Sequence, residues 1–155
     1  MRKLWLIVWV IVLCIGLFTE SVGALLDKGQ VSFSIQPRPS AEMYFPVSSL
    51  MQVSAFEMIG HSLMFAVLTY LLVKNVHRLH IAFILSMSFA IVTEIVQPFL
   101  GRGAEFFDLF ANVIGITAVV LVYVIEKVLT RVSAASVKPL ISLHEIPTIK
   151  NDQQS

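Results

Sequence analysis

Charged residues are scarce in this sequence. Only 14% of its 155 residues are Asp, Glu, Lys or Arg, whereas a soluble globular domain usually carries about a quarter. The net charge of +1 gives no basic field for nucleic acid, and the single cysteine, Cys14, excludes a disulfide within the chain. Apolar residues make up 57% of the chain, and the mean hydropathy is +0.84. The composition therefore excludes a disordered chain and an ordinary soluble domain, and it favours a protein whose partner is the lipid bilayer.

Four long apolar stretches occur, at residues 4–26, 58–73, 81–96 and 109–125. Their uninterrupted cores are near the lower length limit for a transmembrane helix, and flanking residues extend each of them. We therefore predict an all-α membrane protein, a bundle of four transmembrane helices. Its predicted parts are a first helix at residues 1–26, a loop at 27–56, a three-helix region at 57–126 and a tail at 127–155.

The first stretch also fits a secretory signal peptide. Arg2 and Lys3 precede the apolar run, and the small residues at positions 22–24 resemble a cleavage site. We favour a transmembrane helix because the apolar run is long and three more spans follow it.

The loop and the tail carry weaker signals. In the loop, Val31, Phe33 and Ile35 alternate with serines, which predicts a short extended piece in an exposed hairpin or on the bilayer surface. Prolines downstream, the last at Pro46, break regular structure. Residues 131–155 are polar enough to predict a loosely ordered tail.

Positive charges predict the orientation. Eight of the eleven lysines and arginines fall in segments 1–3, 74–80 and 126–155. The positive-inside rule places these segments in the cytoplasm. We therefore predict a multi-pass protein of the cell membrane with both termini cytoplasmic and with segments 27–57 and 98–108 outside.

Polar side chains within the predicted spans are the candidates for function, because an ionisable group at the centre of a span costs about 2.5–3.5 kcal/mol on insertion scales. Pairs at helical spacing occur on three spans, and Pro98 ends one of these helices. The predicted topology brings all three pairs to one depth in the outer leaflet. The candidate ligand-binding cluster consists of Glu57, His61, Glu94, Gln97, Arg102, Asp108 and Asn112.

Two further residues have specific expected roles. Arg102 lies between two glycines in a short loop, where its guanidinium can fold over the cluster and bind a carboxylate or phosphate. Gly115 lies one turn beyond Asn112 and predicts close packing of helices. We expect neither a metal ion nor a cofactor.

Each candidate also has a purely structural interpretation. Asp108 can cap the helix that it begins, and Glu57 can interact with a helix dipole. His61 and Asn112 can be hydrogen-bonding groups between helices. Glu94 is the hardest to explain in this way, because a carboxylate inside a span needs a partner or a proton. Arg102 is the partner that a structural ion pair would use.

Residues 94–115 read EIVQPFLGRGAEFFDLFANVIG. This run resembles the signature of the VanZ-like family of small bacterial membrane proteins, with glutamate and glutamine ending one span, arginine in the loop and D-x-x-x-N-x-x-G opening the next span. His61 and Phe65 also match the start of the family's second span. The resemblance covers residues 55–125. It departs at Met58, where the family often has lysine, and at Val119, where a second glycine is common.

The resemblance implies a role in the cell envelope. The family is named for a protein associated with low-level resistance to the glycopeptide teicoplanin, so the implied ligand is a lipid-linked envelope component or a glycopeptide. An intramembrane enzyme is an alternative, although the sequence has no G-x-S-x-G or H-E-x-x-H motif. A structural or transport subunit is another alternative, and with four spans transport would need an oligomer, which no sequence feature indicates.

Overall fold

A computed structural model describes residues 1–20, 22–44 and 54–142, with side chains up to residue 134. These residues form helices and irregular segments without a strand, which confirms the all-α fold class. The predictions for loop residues 45–53 and tail residues 143–155 lie outside the described residues. The helices are α1 (Arg2–Phe18), α2 (Val22–Lys28), α3 (Ala55–Val76), α4 (Leu79–Val96) and α5 (Phe106–Ser142), with 3₁₀ turns at Ala41–Met43 and Gln97–Leu100.

Three helical segments have the length and hydropathy needed to cross a membrane: Ala55–Val76, Leu79–Leu100 and Phe106–Ala134. They coincide with the second, third and fourth predicted spans. The number rises to four if α1 and α2, which are bent by 114° at the break between them, form one span. The structure thus divides the predicted first helix in two. Thr19 is extended there, and the backbone N–H of Glu20 donates to the Ser32 carbonyl at 3.0 Å instead of continuing the helix.

Local sequence signals explain where α3 and α4 begin and end. Ser54 caps α3 by accepting a hydrogen bond from the backbone N–H of Glu57, and His77 ends it in the left-handed conformation at φ 58°. Helix α4 begins two residues later, at Leu79, and ends at Val96. Pro98 follows within the 3₁₀ turn, where it has no N–H to continue the hydrogen bonds of the helix.

The core is formed by side chains from four helices. Its fully buried members are Leu13, Leu17, Phe65, Leu68, Ala90 and Ile116. Trp9 of α1 donates its indole N–H to the Met64 carbonyl of α3 at 3.1 Å. Many other large apolar side chains are exposed, as expected where a bundle faces lipid rather than water. Helix α1 is therefore a packed part of the fold, joined to α3 by both apolar and polar contacts.

Gly115 brings α5 against the backbone of α3. A Cβ atom at this position would collide with the Ser62 carbonyl oxygen, and it would lie 3.1 Å from the Ala66 nitrogen. A side chain at position 115 would therefore force the two helices apart. The close approach expected of this glycine is present in the structure.

The loop after α2 is irregular where alternation predicted an extended piece. Ser32 accepts from Glu20, and the backbone N–H of Gln36 donates to the Phe99 carbonyl at 2.8 Å. The backbone N–H of Ala104 donates to the Met43 carbonyl at 2.7 Å. Over residues 31–36 the structure has no strand pairing, and the backbone groups of Ser32 and Gln36 bond to Glu20 and Phe99 instead.

Residues Met1–Leu121 form one compact unit. The second unit, Val122–Ser155, contains the remainder of α5 as far as Ser142. Helix α5 thus extends to Ser142, into the first part of the predicted tail. Once a helix has nucleated, each added residue gains a hydrogen bond at a smaller entropic cost, so that α5 can continue through polar positions.

Candidate functional site

Six of the seven predicted site residues meet where α3 begins, α4 ends and α5 begins. His61, Glu94, Asp108 and Asn112 are at most 7% exposed, Gln97 is fully buried, and the Arg102 side chain is 12% exposed. These six residues are called the polar cluster below. They come from three helices and the 97–105 connection, so the cluster depends on the packing of the whole bundle at this end.

A directed series of hydrogen bonds crosses the polar cluster. Arg102 Nη2 lies 3.4 Å from His61 Nε2, and His61 Nδ1 lies 3.1 Å from Asn112 Oδ1. Asn112 Nδ2 donates to Glu94 Oε1 at 3.5 Å. Both ring nitrogens of His61 are satisfied if the ring is neutral and carries its proton on Nδ1, because Arg102 then donates to Nε2 and His61 donates to the asparagine oxygen. The series begins on a cation and ends on the Glu94 carboxylate.

Asp108 accepts a second hydrogen bond from the same guanidinium nitrogen. Arg102 Nη2 lies 3.3 Å from Asp108 Oδ2, and that oxygen lies 3.2 Å from His61 Nε2. When His61 carries its proton on Nδ1, Nε2 and Oδ2 are both acceptors, and each can accept one of the two protons of Nη2. Arg102 therefore holds the start of α5 against the second turn of α3.

Arg102 and Gln97 also bind the end of α1. Arg102 Nη1 donates to the Gly16 and Leu17 carbonyls at 3.4 Å, and Gln97 Nε2 donates to the Leu17 carbonyl at 3.2 Å. Carbonyls in the last turn of a helix lack partners within the helix, and a cation is favourable at this end of the dipole. Both terminal nitrogens of Arg102 thus bind protein groups, and one of these groups is the Asp108 carboxylate.

Glu57 is the predicted site residue that the structure does not bring into the polar cluster. It lies in the first turn of α3, half-buried, where its backbone N–H donates to Ser54. Among the described residues, its side chain makes no hydrogen bond to the cluster. Its position agrees with the alternative interpretation that it interacts with the helix dipole.

Glu105 is a site residue that sequence reasoning did not select. Its backbone N–H donates to Glu94 Oε2 at 3.2 Å, so that both oxygens of Glu94 are bound. Burial raises the pKa of the Glu105 carboxyl above its ordinary value, and the Asp108 carboxylate raises it further. The signal available in the sequence was its position three residues before Asp108, in the connection that carries Arg102.

A cavity of about 290 Å³ opens between α4 and α5, and it is called the α4–α5 groove below. Its walls are largely apolar. Glu94 is the member of the polar cluster that reaches it. The residues that line it include Tyr44, Ile91, Glu94, Ile95, Glu105 and Phe106. No lysine, arginine or histidine of the described ranges lines this groove, and its ionisable side chains include the carboxyl groups of Glu94 and Glu105.

Three residues of the cluster have the donor types of a metal site. Ligand atoms of His61, Glu94 and Asp108 lie within 4.8 Å of one another. Arg102 Nη2 is hydrogen-bonded to His61 Nε2 and Asp108 Oδ2, so a metal that used these two atoms would compete with the guanidinium for them.

Comparison with known proteins gives two matches. A family model described as VanZ/LLP1 matches residues 4–129, which include α1 as well as the three longer helices. The chain is also similar to a protein of Bacillus subtilis (strain 168) named "Uncharacterized membrane protein YwnJ". The two are 32% identical over 130 residues, which are 82% of this chain and 93% of that protein. No solved structure matches the chain significantly.

Proposed function

The chain belongs to the VanZ/LLP1 family of membrane proteins, and from this premise we propose that it lowers the susceptibility of the cell to teicoplanin-type glycopeptides by binding a lipid component of the envelope. The observation that carries the proposal is the buried polar cluster, whose Glu94 reaches a largely apolar groove between two membrane helices. Ionisable groups are costly inside a membrane and are usually placed there for a function.

The size of the α4–α5 groove favours a lipid over the antibiotic itself. At about 290 Å³ it is at the small end of ligand pockets, which measure about 300–1,000 Å³. A polycyclic glycopeptide is too large for such a space, whereas part of one acyl chain fits it. The protein would then change susceptibility to the antibiotic indirectly, through the envelope lipid that it binds.

The proposal needs the polar cluster to lie in the outer leaflet. Reporter fusions after residue 78 and after residue 104 are expected to give cytoplasmic and external signals, respectively, because most lysines and arginines fall in the segments assigned to the cytoplasm. An alkaline phosphatase and a green fluorescent protein fusion at each site measure this. External signal at residue 78 with cytoplasmic signal at residue 104 would overturn the proposal.

Expression in a susceptible host is expected to raise the minimal inhibitory concentration of teicoplanin. Glu94→Gln keeps the shape of the side chain but removes its charge, so it should abolish the increase at matched protein levels in the membrane. Asn112→Ala should do the same by removing a donor to Glu94. Glu126→Gln is the matched control, because it removes an exposed carboxylate of α5.

Susceptibility to teicoplanin, measured in this way, can support or overturn the proposal. A glycopeptide without an acyl chain provides a second comparison, since a lipid-mediated effect should depend on how the antibiotic anchors in the membrane. If expression leaves teicoplanin susceptibility unchanged, or if Glu94→Gln protects as well as the unsubstituted protein does, the proposal is wrong.

An intramembrane enzyme acting on a lipid-linked substrate is the second candidate. The observation that favours it is the approach of His61, Glu94 and Asp108 to within 4.8 Å, since such groups serve as acid–base catalysts or metal ligands. Metal analysis of the purified protein separates the two functions. A stoichiometric ion that is lost in His61→Ala would favour the enzyme.

A further inference from the structure

The α4–α5 groove combines an apolar surface with two carboxylates at one end. Ile91 and Ile95 lie one turn apart on α4, both about half exposed, while Glu94 lies between them in sequence and is 7% exposed. Glu105 and Phe106 line the opposite side of the groove where α5 begins. An amphiphile can therefore lie along the isoleucines and present its polar head to the carboxylates.

The hydrogen bonds of the polar cluster determine whether the groove binds a cationic or an anionic lipid head. With the His61 proton on Nδ1, Arg102, His61 and Asn112 each donate toward the next residue, and the series ends on Glu94. Such a series stabilises the charged form of Glu94, because aligned hydrogen bonds polarise one another toward its carboxylate. The groove thus presents acceptors at Glu94 and Glu105, while the cation of the cluster, Arg102, is bound to protein atoms behind them.

From this geometry we infer that the α4–α5 groove binds a membrane lipid whose head carries a primary ammonium group, such as phosphatidylethanolamine. The ammonium donates to Glu94 and Glu105, and one acyl chain lies on Ile91 and Ile95. An anionic head is excluded from the same position by the two carboxylates. This inference rests on the proposed function, whose envelope ligand it identifies by chemical class.

The test uses the full-length protein in nanodiscs of phosphatidylethanolamine, phosphatidylglycerol and phosphatidylcholine in equal amounts with identical acyl chains. Native mass spectrometry then counts the lipids that each protein molecule retains. We expect phosphatidylethanolamine to be retained about tenfold over each of the other two, the effect of one charge-assisted hydrogen bond. Phosphatidylcholine carries the same positive charge without N–H donors, so it separates hydrogen bonding from charge alone.

Substitutions in and outside the α4–α5 groove test whether the lipid binds there. Glu105→Gln and Glu94→Gln should bring the preference down to about equal retention, whereas Glu126→Gln should keep it. Ile95→Trp should fill the groove and reduce retention of all three lipids. Ile84→Trp is the matched control, because Ile84 is an exposed residue of α4 that does not line the groove. Circular dichroism and thermal unfolding of each variant measure whether the fold is intact. If Glu94→Gln fails to fold, Glu105→Gln still tests the site, because Glu105 is only half-buried.

The inference is overturned if the unsubstituted protein retains the three lipids equally, prefers phosphatidylglycerol, or retains phosphatidylcholine as well as phosphatidylethanolamine. It is also overturned if Glu105→Gln and Glu126→Gln behave alike. The proposed function fails separately. Selective retention of phosphatidylethanolamine without any effect on teicoplanin would remove the proposed function and keep the lipid site.

Discussion

Replacing Arg102 with methionine is expected to lower the free energy of unfolding by about 3–5 kcal/mol, the cost of removing one partner of a buried ion pair. Asp108 would remain 2% exposed without its cation, and the last carbonyls of α1 would lose a donor. Equilibrium unfolding in mixed micelles of dodecyl maltoside and sodium dodecyl sulfate, followed by circular dichroism, measures the change. Arg38→Met is the matched control, because Arg38 is exposed in the loop and should change stability little.

The double variant Arg102→Met/Asp108→Asn separates charge from packing. Neutralising Asp108 removes the unpaired buried charge, so the double variant should be more stable than Arg102→Met alone. Equal stability of the double and single variants would show that the ion pair is not what Arg102 contributes. A strongly destabilised Arg38→Met would show that the loss of any arginine has this effect.

Replacing Gly115 with alanine is the second large effect that we expect. The added Cβ would collide with the Ser62 carbonyl, and backbone atoms cannot move aside as the end of a flexible side chain can. Overpacking of this kind costs about 1–3 kcal/mol. Because Asn112 lies one turn before Gly115, separation of the helices should also lengthen its hydrogen bond to His61.

Gly60→Ala is the matched control for Gly115→Ala. A Cβ at position 60 would meet no atom within 4 Å, so the variant should gain up to about 1 kcal/mol from the higher helix propensity of alanine. The same micelle unfolding experiment applies to both. If Gly115→Ala proves as stable as Gly60→Ala, the two helices are not held as closely as the structure has them.

The sequence was sufficient to predict the three longer helices and most of the polar cluster. Apolar runs of span length located the helices, and Pro98 located the end of α4. Spacing of four residues placed Asn112 on the same face as Asp108. Glu57 satisfied the same spacing rule relative to His61, yet it lies in the first turn of its helix. Periodicity reports the face of a helix on which a residue lies, but it does not report the depth at which a neighbouring helix covers that face.

The contribution of α1 to the site could not be predicted, because it consists of backbone carbonyls. Gly16 and Leu17 accept from Arg102 through main-chain atoms that every residue type carries, so no residue pattern marks them. Glu105 was missed for a related reason. Its hydrogen bond to Glu94 uses the backbone N–H, and an acid in a loop is usually solvated.

The irregular loop after α2 has a consequence for how the chain can change over evolution. Loops normally tolerate insertions because their backbone groups face water. Here Ser32 and Gln36, four residues apart, are fixed by backbone hydrogen bonds to Glu20 and Phe99, on two different helix ends. Adding or removing a residue between these two points would break one of the two bonds. Length variation among relatives is therefore expected outside residues 32–36.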